Sequence, residues 1–164
     1  MRVRDLKMTC CFIGHRVLKH PAELSCRLRQ VLHALTSRGV TCFLFGDHSA
    51  FNELCYQEVS SLKKTYPQIQ RIHYRRNYPN ADAYTLRYLT DGYEGSVCPK
   101  GVALSGRTSY IKRNQAMIRA SDFCVFYCDE ALLFKNETPY GKSGTALALK
   151  YAESQGKMIY NLFK

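Results

Sequence analysis

The sequence predicts an α/β protein built on an open, mainly parallel, five-stranded sheet with helices on both faces. Three observations predict it. Short unbroken apolar runs recur along the 164-residue chain, most are followed by a segment whose apolar residues repeat every three or four positions, and glycine or polar clusters mark the transitions. Strands buried on both faces read as continuous rather than alternating hydrophobic runs, which separates this pattern from a half-exposed antiparallel sheet.

Thr9-Cys10-Cys11-Phe12-Ile13 reads as the first strand and stops at Gly14-His15-Arg16. From Pro21 to Arg38, Leu24, Leu28, Val31, Leu32 and Leu35 keep helical spacing, and Gly39 follows as a stop. Val40 to Phe45 is the second strand, ending at Gly46-Asp47. A second helix runs from Phe51 to Tyr66, before Pro67. Ile69 to Tyr74 gives a third strand. The connection from Arg75 to Arg107 lacks sustained periodicity, and Ala81 to Leu89 is its one helical stretch. Ser109 to Ser121 is the next helix and Phe123 to Cys128 the fourth strand. Gly141-Lys142-Ser143-Gly144-Thr145 opens a helix that runs from Ala146 to Gln155, Gly156 ends it, and Met158 to Phe163 is the fifth strand.

Composition narrows the class. Apolar residues make up 46% and charged residues 23% of the chain, proportions that exclude a disordered tail, a collagen-like repeat or a coiled coil as the main architecture. A chain of this length hides roughly two thirds of its unfolded surface, so residues 1–164 are expected to form one domain. No window approaches the roughly 18 unbroken apolar residues of a bilayer span, and Met1 to Lys7 lacks the apolar stretch of a signal peptide. The expectation is a cytoplasmic protein with no membrane partner. Twenty-four Lys and Arg against 13 Asp and Glu give a formal charge of +11, which favours anionic partners. The basic residues are dispersed apart from Arg71 to Arg76 and Lys112-Arg113, unlike the like-charge blocks of nucleic-acid tails. Of the eight cysteines, Cys10, Cys11, Cys42, Cys124 and Cys128 lie in strand-like runs and read as buried free thiols. Their spacing matches no zinc site, and no metal or other cofactor is expected.

In an open parallel sheet, ligands collect beyond the carboxyl ends of the strands, where strand order reverses. That rule nominates Gly14-His15-Arg16, Gly46 to Ser49, the connection from Arg75 to Arg107, and Asp129 to Thr145. Gly141, Ser143, Gly144 and Thr145 form the sharpest signal, because glycines admit an anion to backbone N–H groups and the following helix adds its positive end. The segment is neither a Walker A loop nor a dinucleotide fingerprint. An ordinary helix cap by Ser143 or Thr145 is the alternative reading. His15 and Arg16 are candidates to reach an anionic or base-bearing ligand.

Thr9 to Arg16, Tyr110 to Met117, and Ser143-Gly144-Thr145-Ala146 with Lys150-Tyr151-Ala152 together resemble the SLOG superfamily. The resemblance is closest to its small single-domain YpsA-like and YspA-like bacterial members. It runs from about Thr9 to Leu162 and implies a Rossmann-like fold that binds nucleotides or nucleotide-derived molecules. The superfamily is related to the lonely-guy phosphoribohydrolases and to DNA-processing protein A. Carried over by residue, Gly141, Ser143, Gly144 and Thr145 become a phosphate cradle. Arg113 and Met117 match the arginine and methionine of the lonely-guy R-K-x-x-M segment. Gly46 and Asp47 fall near the glycine-rich turn after the second strand, and Phe51-Asn52 stands where many relatives carry Phe-Asp.

The lonely-guy pattern P-G-G-x-G-T-x-x-E ends in a glutamate that works with the arginine to cleave an N-glycosidic bond. Here Ala148 occupies that position. An alanine neither stabilises an oxocarbenium ion nor positions a water, so no catalytic residue is assigned, although Asp129 and Glu137 lie in the preceding loop. Binding or sensing of a nucleotide-derived small molecule, with Arg113 neutralising its charge, is therefore preferred. A nucleoside-monophosphate N-glycosidase is one alternative. Single-stranded nucleic-acid binding, suggested by the charge and by Arg71-Ile72-His73-Tyr74-Arg75-Arg76, is another. A homo-oligomer is compatible with all three.

Overall fold

A computed structural model describes residues 7–76, 82–100, 102, 106–133 and 143–164. The strands are β1 (Met8–Gly14), β2 (Val40–Phe45), β3 (Gln70–Tyr74), β4 (Gly95–Val97), β5 (Phe123–Tyr127) and β6 (Met158–Asn161). The helices are α1 (Pro21–Ser37), α2 (Ala50–Thr65), α3 (Ala83–Thr90), α4 (Gly106–Arg119) and α5 (Gly144–Ser154), with a 3₁₀ turn at Glu130–Leu133. The strands form one six-stranded sheet in the order β4-β3-β2-β1-β5-β6. Every pairing is parallel.

The sheet thus has six strands, not five. The additional one, β4, lies in the connection expected to be irregular and pairs Ile72 with Gly95 through Tyr74 with Val97. Gly-Ser-Val has no apolar periodicity to betray it; main-chain bonding and a charge clasp hold it. Arg71 N–H donates to Glu94 Oε2 at 2.7 Å and its guanidinium to Oε1 at 2.8 Å, immediately before the strand. Burial pushes the Glu94 carboxyl up, but the hydrogen bonds and charge of Arg71 outweigh it and bring it down to about 2. The helix expected at Ala81 to Leu89 appears as α3, although Ala81 lies outside the described residues.

Alternation along each strand divides the core. Cys10, Phe12, Phe43, Phe45 and Val125 face α1 and α2, where Leu24, Leu28, Leu32, Phe51 and Val59 meet them. Cys11, Ile13, Leu44, Cys124 and Phe126 face α4 and α5 through Met117, Ile118, Ala146 and Leu149. Both faces of the sheet are therefore covered, and each fully buried Leu or Phe contributes roughly 2 kcal/mol of transfer free energy. α1 stops at Gly39, whose φ of +96° suits a residue without Cβ. All eight cysteines are free; Cys42 is half-buried, while the other four expected in strands are buried. Among the described residues no helix is long and apolar enough to cross a membrane.

Candidate functional site

The chain lays β1, β2, β3 and β4 outward in one direction and then returns to place β5 and β6 on the other side of β1. The order reverses between β1 and β5, and a crevice at their carboxyl ends follows from that reversal. A cleft of about 440 Å³ lies there. Its walls are the loop after β1 (Gly14, His15, Arg16), the loop after β2 with the start of α2 (Gly46 to Ser49, Asn52), the first turns of α4 (Arg107, Tyr110, Ile111, Arg113, Asn114), and the start of α5 (Ser143, Gly144, Thr145). The structure thus brings together nine of the ten residues nominated from sequence; the tenth, Gly141, lies outside the described residues.

The loop after β1 is fixed from below. A Cβ on Gly14 would overlap the Phe51 ring, so the glycine lets α2 pack directly under the cleft floor. Asp129 N–H donates to His15 Nε2 at 2.9 Å, which ties this loop to the one after β5 and spends that ring nitrogen. The backbone N–H of His15 donates to Tyr127 O at 3.0 Å. Arg16 projects from the anchored loop, is exposed, and has no hydrogen-bond or ion-pair partner among the described residues.

The β2 wall is a charge cluster centred on Asp47. Arg76 Nε donates to Oδ2 at 2.9 Å, Arg113 Nη1 lies 3.0 Å from the same oxygen, and His73 Nε2 lies 3.8 Å from Oδ1. Burial pushes the Asp47 carboxyl up, but His73 and the two arginines outweigh it and hold the group well below the usual carboxylate range. The Arg113 side chain is only 7% exposed. Its guanidinium lies so close beneath Gly46 that a Cβ there would sit 3.0 Å from Cζ. Burial pulls the Arg113 pKa down, and the Asp47 charge opposes that pull. Tyr110 underlies both cations, its ring centroid 4.1 Å from the Arg76 Cζ and 5.5 Å from that of Arg113.

The α5 wall is the start of that helix. Ser143 caps the helix, its Oγ accepting from Ala146 N–H at 3.1 Å and its carbonyl from Leu147 N–H at 3.0 Å. The N–H groups of Gly144 and Thr145, the first two of the helix, have no acceptor among the described residues, and a Cβ on Gly144 would meet nothing within 4 Å. Ala148 is 4% exposed and packs in the core beneath α5, and it does not line the cleft. Asp129 Oδ1 accepts from Ala131 N–H at 3.0 Å, a local cap; Glu137 lies outside the described residues.

Sequence reasoning nominated the connection from Arg75 to Arg107 without singling out Arg76 or Arg107, and it missed His73 and Tyr110 as neighbours of the site. Arg76 follows the end of β3 and was reachable by the strand-end rule, and Tyr110 stands three residues before Arg113 on the same helical face. Two of the three arginines in the basic run that suggested nucleic-acid binding are paired internally, Arg71 with Glu94 and Arg76 with Asp47, while His73 is 1% exposed and Arg75 donates to the Arg76 carbonyl at 3.4 Å.

The fold and the crevice at the strand-order reversal define a Rossmann-like α/β protein. Its architecture is similar to that of the molybdenum cofactor carrier protein of Chlamydomonas reinhardtii, with a TM-score of 0.52 over 93% of this chain and 74% of that one at 13% sequence identity. No family model and no curated protein matches the chain.

Proposed function

We propose that residues 1–164 form a SLOG-type domain that binds or senses a nucleotide or nucleotide-derived phosphate ligand in this cleft. The N–H groups of Gly144 and Thr145 hold the phosphate together with Arg16, while Gly14-His15 and Gly46-Asp47 shape the sugar and base side. The observation that carries the reading is the cleft's electrostatic asymmetry. Among the described residues three arginines line it against one aspartate, and that aspartate already serves two arginines. The positive ends of α2, α4 and α5 converge on the same space. A volume of about 440 Å³ suits a ligand of mononucleotide size. The similarity to a protein named as a cofactor carrier points the same way.

Binding without turnover is the preferred form. N-glycoside hydrolysis needs a carboxylate free to act on the sugar or on water, and the acid among the described lining residues is the engaged Asp47. Titration calorimetry against mononucleotides, cyclic nucleotides and ADP-ribose derivatives tests the proposal. At least one is expected to bind about tenfold more tightly than inorganic phosphate. A panel in which none exceeds inorganic phosphate overturns it.

A further inference from the structure

Among the described residues two histidines line the cleft, and hydrogen bonding leaves their rings in opposite arrangements. Asp129 N–H donates to His15 Nε2 at 2.9 Å, so His15 carries its ring proton on Nδ1. A second proton, on Nε2, would set two donors against each other. His48 is the reverse. Its Nδ1 lies 2.7 Å from Glu53 Oε1, and a carboxylate only accepts, so the hydrogen belongs to Nδ1 and the lone pair to Nε2. That Nε2 has no partner among the described residues.

The His48 ring is thus held in one tautomer with its proton-accepting atom open. Glu53 holds it from the first turn of α2, and the two side chains are 60% and 50% exposed, so the ring exchanges protons with solvent. The other charged groups lining the cleft are Asp47, beside His48 in the chain, Arg107 and Arg113 on α4, and Arg16 in the loop after β1. Asp47 is committed to Arg76 and Arg113, and guanidinium groups keep their charge. His73 is buried behind Asp47 and does not line the cleft. An imidazole is the side chain that gains or loses charge near neutral pH, and a proton taken up at Nε2 puts a new positive charge in the wall.

We propose that His48, held by Glu53, is a proton-gated cation of the cleft: protonated, it adds a charge and an N–H donor for an anionic ligand, and deprotonated it withdraws both. Anion and proton then support each other, each raising the affinity for the other by the same factor. The affinity for an anion is therefore highest below the imidazole range and falls as pH rises through it. Glu53 is a positioning residue, since it fixes which ring nitrogen takes the proton. This inference rests on the reading of the cleft as an anion site.

The test is the ratio of sulfate affinities at about pH 5.5 and about pH 8, measured by calorimetry on the whole chain. Sulfate has the shape of phosphate and keeps its charge across this range, whereas phosphate itself titrates within it. The wild-type protein is expected to bind sulfate about fivefold more tightly at the lower pH, the scale of one added, partly exposed charge. His48→Gln is expected to bring the ratio close to one. Glu53→Gln, which keeps an oxygen for Nδ1 and removes the charge, is expected to give a ratio in between. Both positions are half-exposed, so neither substitution threatens the fold. A wild-type ratio near one, or a full ratio that survives either substitution, overturns the gate and leaves the anion site standing. A wild-type protein that binds sulfate at neither pH removes both.

Discussion

At the β2 wall of the cleft the charged side chains are engaged with one another, whereas at the α5 wall two backbone N–H groups and the neighbouring Arg16 have no partner among the described residues. Arg76 and Arg113 share the one carboxylate of Asp47 on the first wall, under a glycine that brings the backbone against a guanidinium. The second wall has a capped helix start and open space over Gly144. The difference separates two roles that the same residue types suggest equally well. Arginine and glycine on the β2 side hold the architecture of the crevice, and the amides at the start of α5 have no acceptor among the described residues.

Substitutions that treat the two walls alike would break this division. Asp47→Ala strands the buried Arg113 without its counter-charge and is expected to destabilise the fold by about 3 kcal/mol or more in urea unfolding; a loss below about 1 kcal/mol would mean the cluster is ornamental. Gly14→Ala forces a methyl group into the Phe51 ring and should cost about 1–3 kcal/mol by the same measurement. Acid unfolding sharpens the picture at the sheet edge. Glu94 sits at about 2 in the fold against an ordinary 4.5, so its contribution is fully present above pH 4.5 and is lost as pH falls toward 2. Glu94→Gln should therefore be less stable than the wild type near neutrality and converge with it at the acid end. Asp47, also depressed, adds to the acid limb below its ordinary 3.8. The smallest effect belongs to Gly144→Ala, which has room for its methyl and should alter stability by no more than about 0.5 kcal/mol.

The five apolar strands were legible because residues buried on both faces leave unbroken runs, and the helices because their core-facing leucines keep a period that polar residues frame. β4 was not, since a three-residue edge strand made of Gly95, Ser96 and Val97 is specified by its main-chain partner and by the distant Arg71–Glu94 pair. The same boundary runs through the site. Gly14, Gly46 and Gly144 stand where strand ends and helix starts announce themselves, so their convergence followed from the order of elements. That Arg113 would spend itself on Asp47, with Arg76 arriving from β3 and Tyr110 beneath both, depends on side-chain meetings that no local pattern encodes. Arg113, expected to neutralise ligand charge, has its guanidinium against Asp47.

Replacing Gly144 by proline tests the account most directly. Proline is well tolerated at the first position of a helix, and Ser143, with φ −60° and ψ 148°, already has the extended backbone that a following proline requires. The substitution deletes one N–H and little else. Gly144→Pro is expected to melt with the wild-type protein and to bind inorganic phosphate and AMP about tenfold more weakly in calorimetry, the loss of one charge-assisted hydrogen bond. A variant with unchanged melting and unchanged affinity for both would place the anion somewhere other than the start of α5.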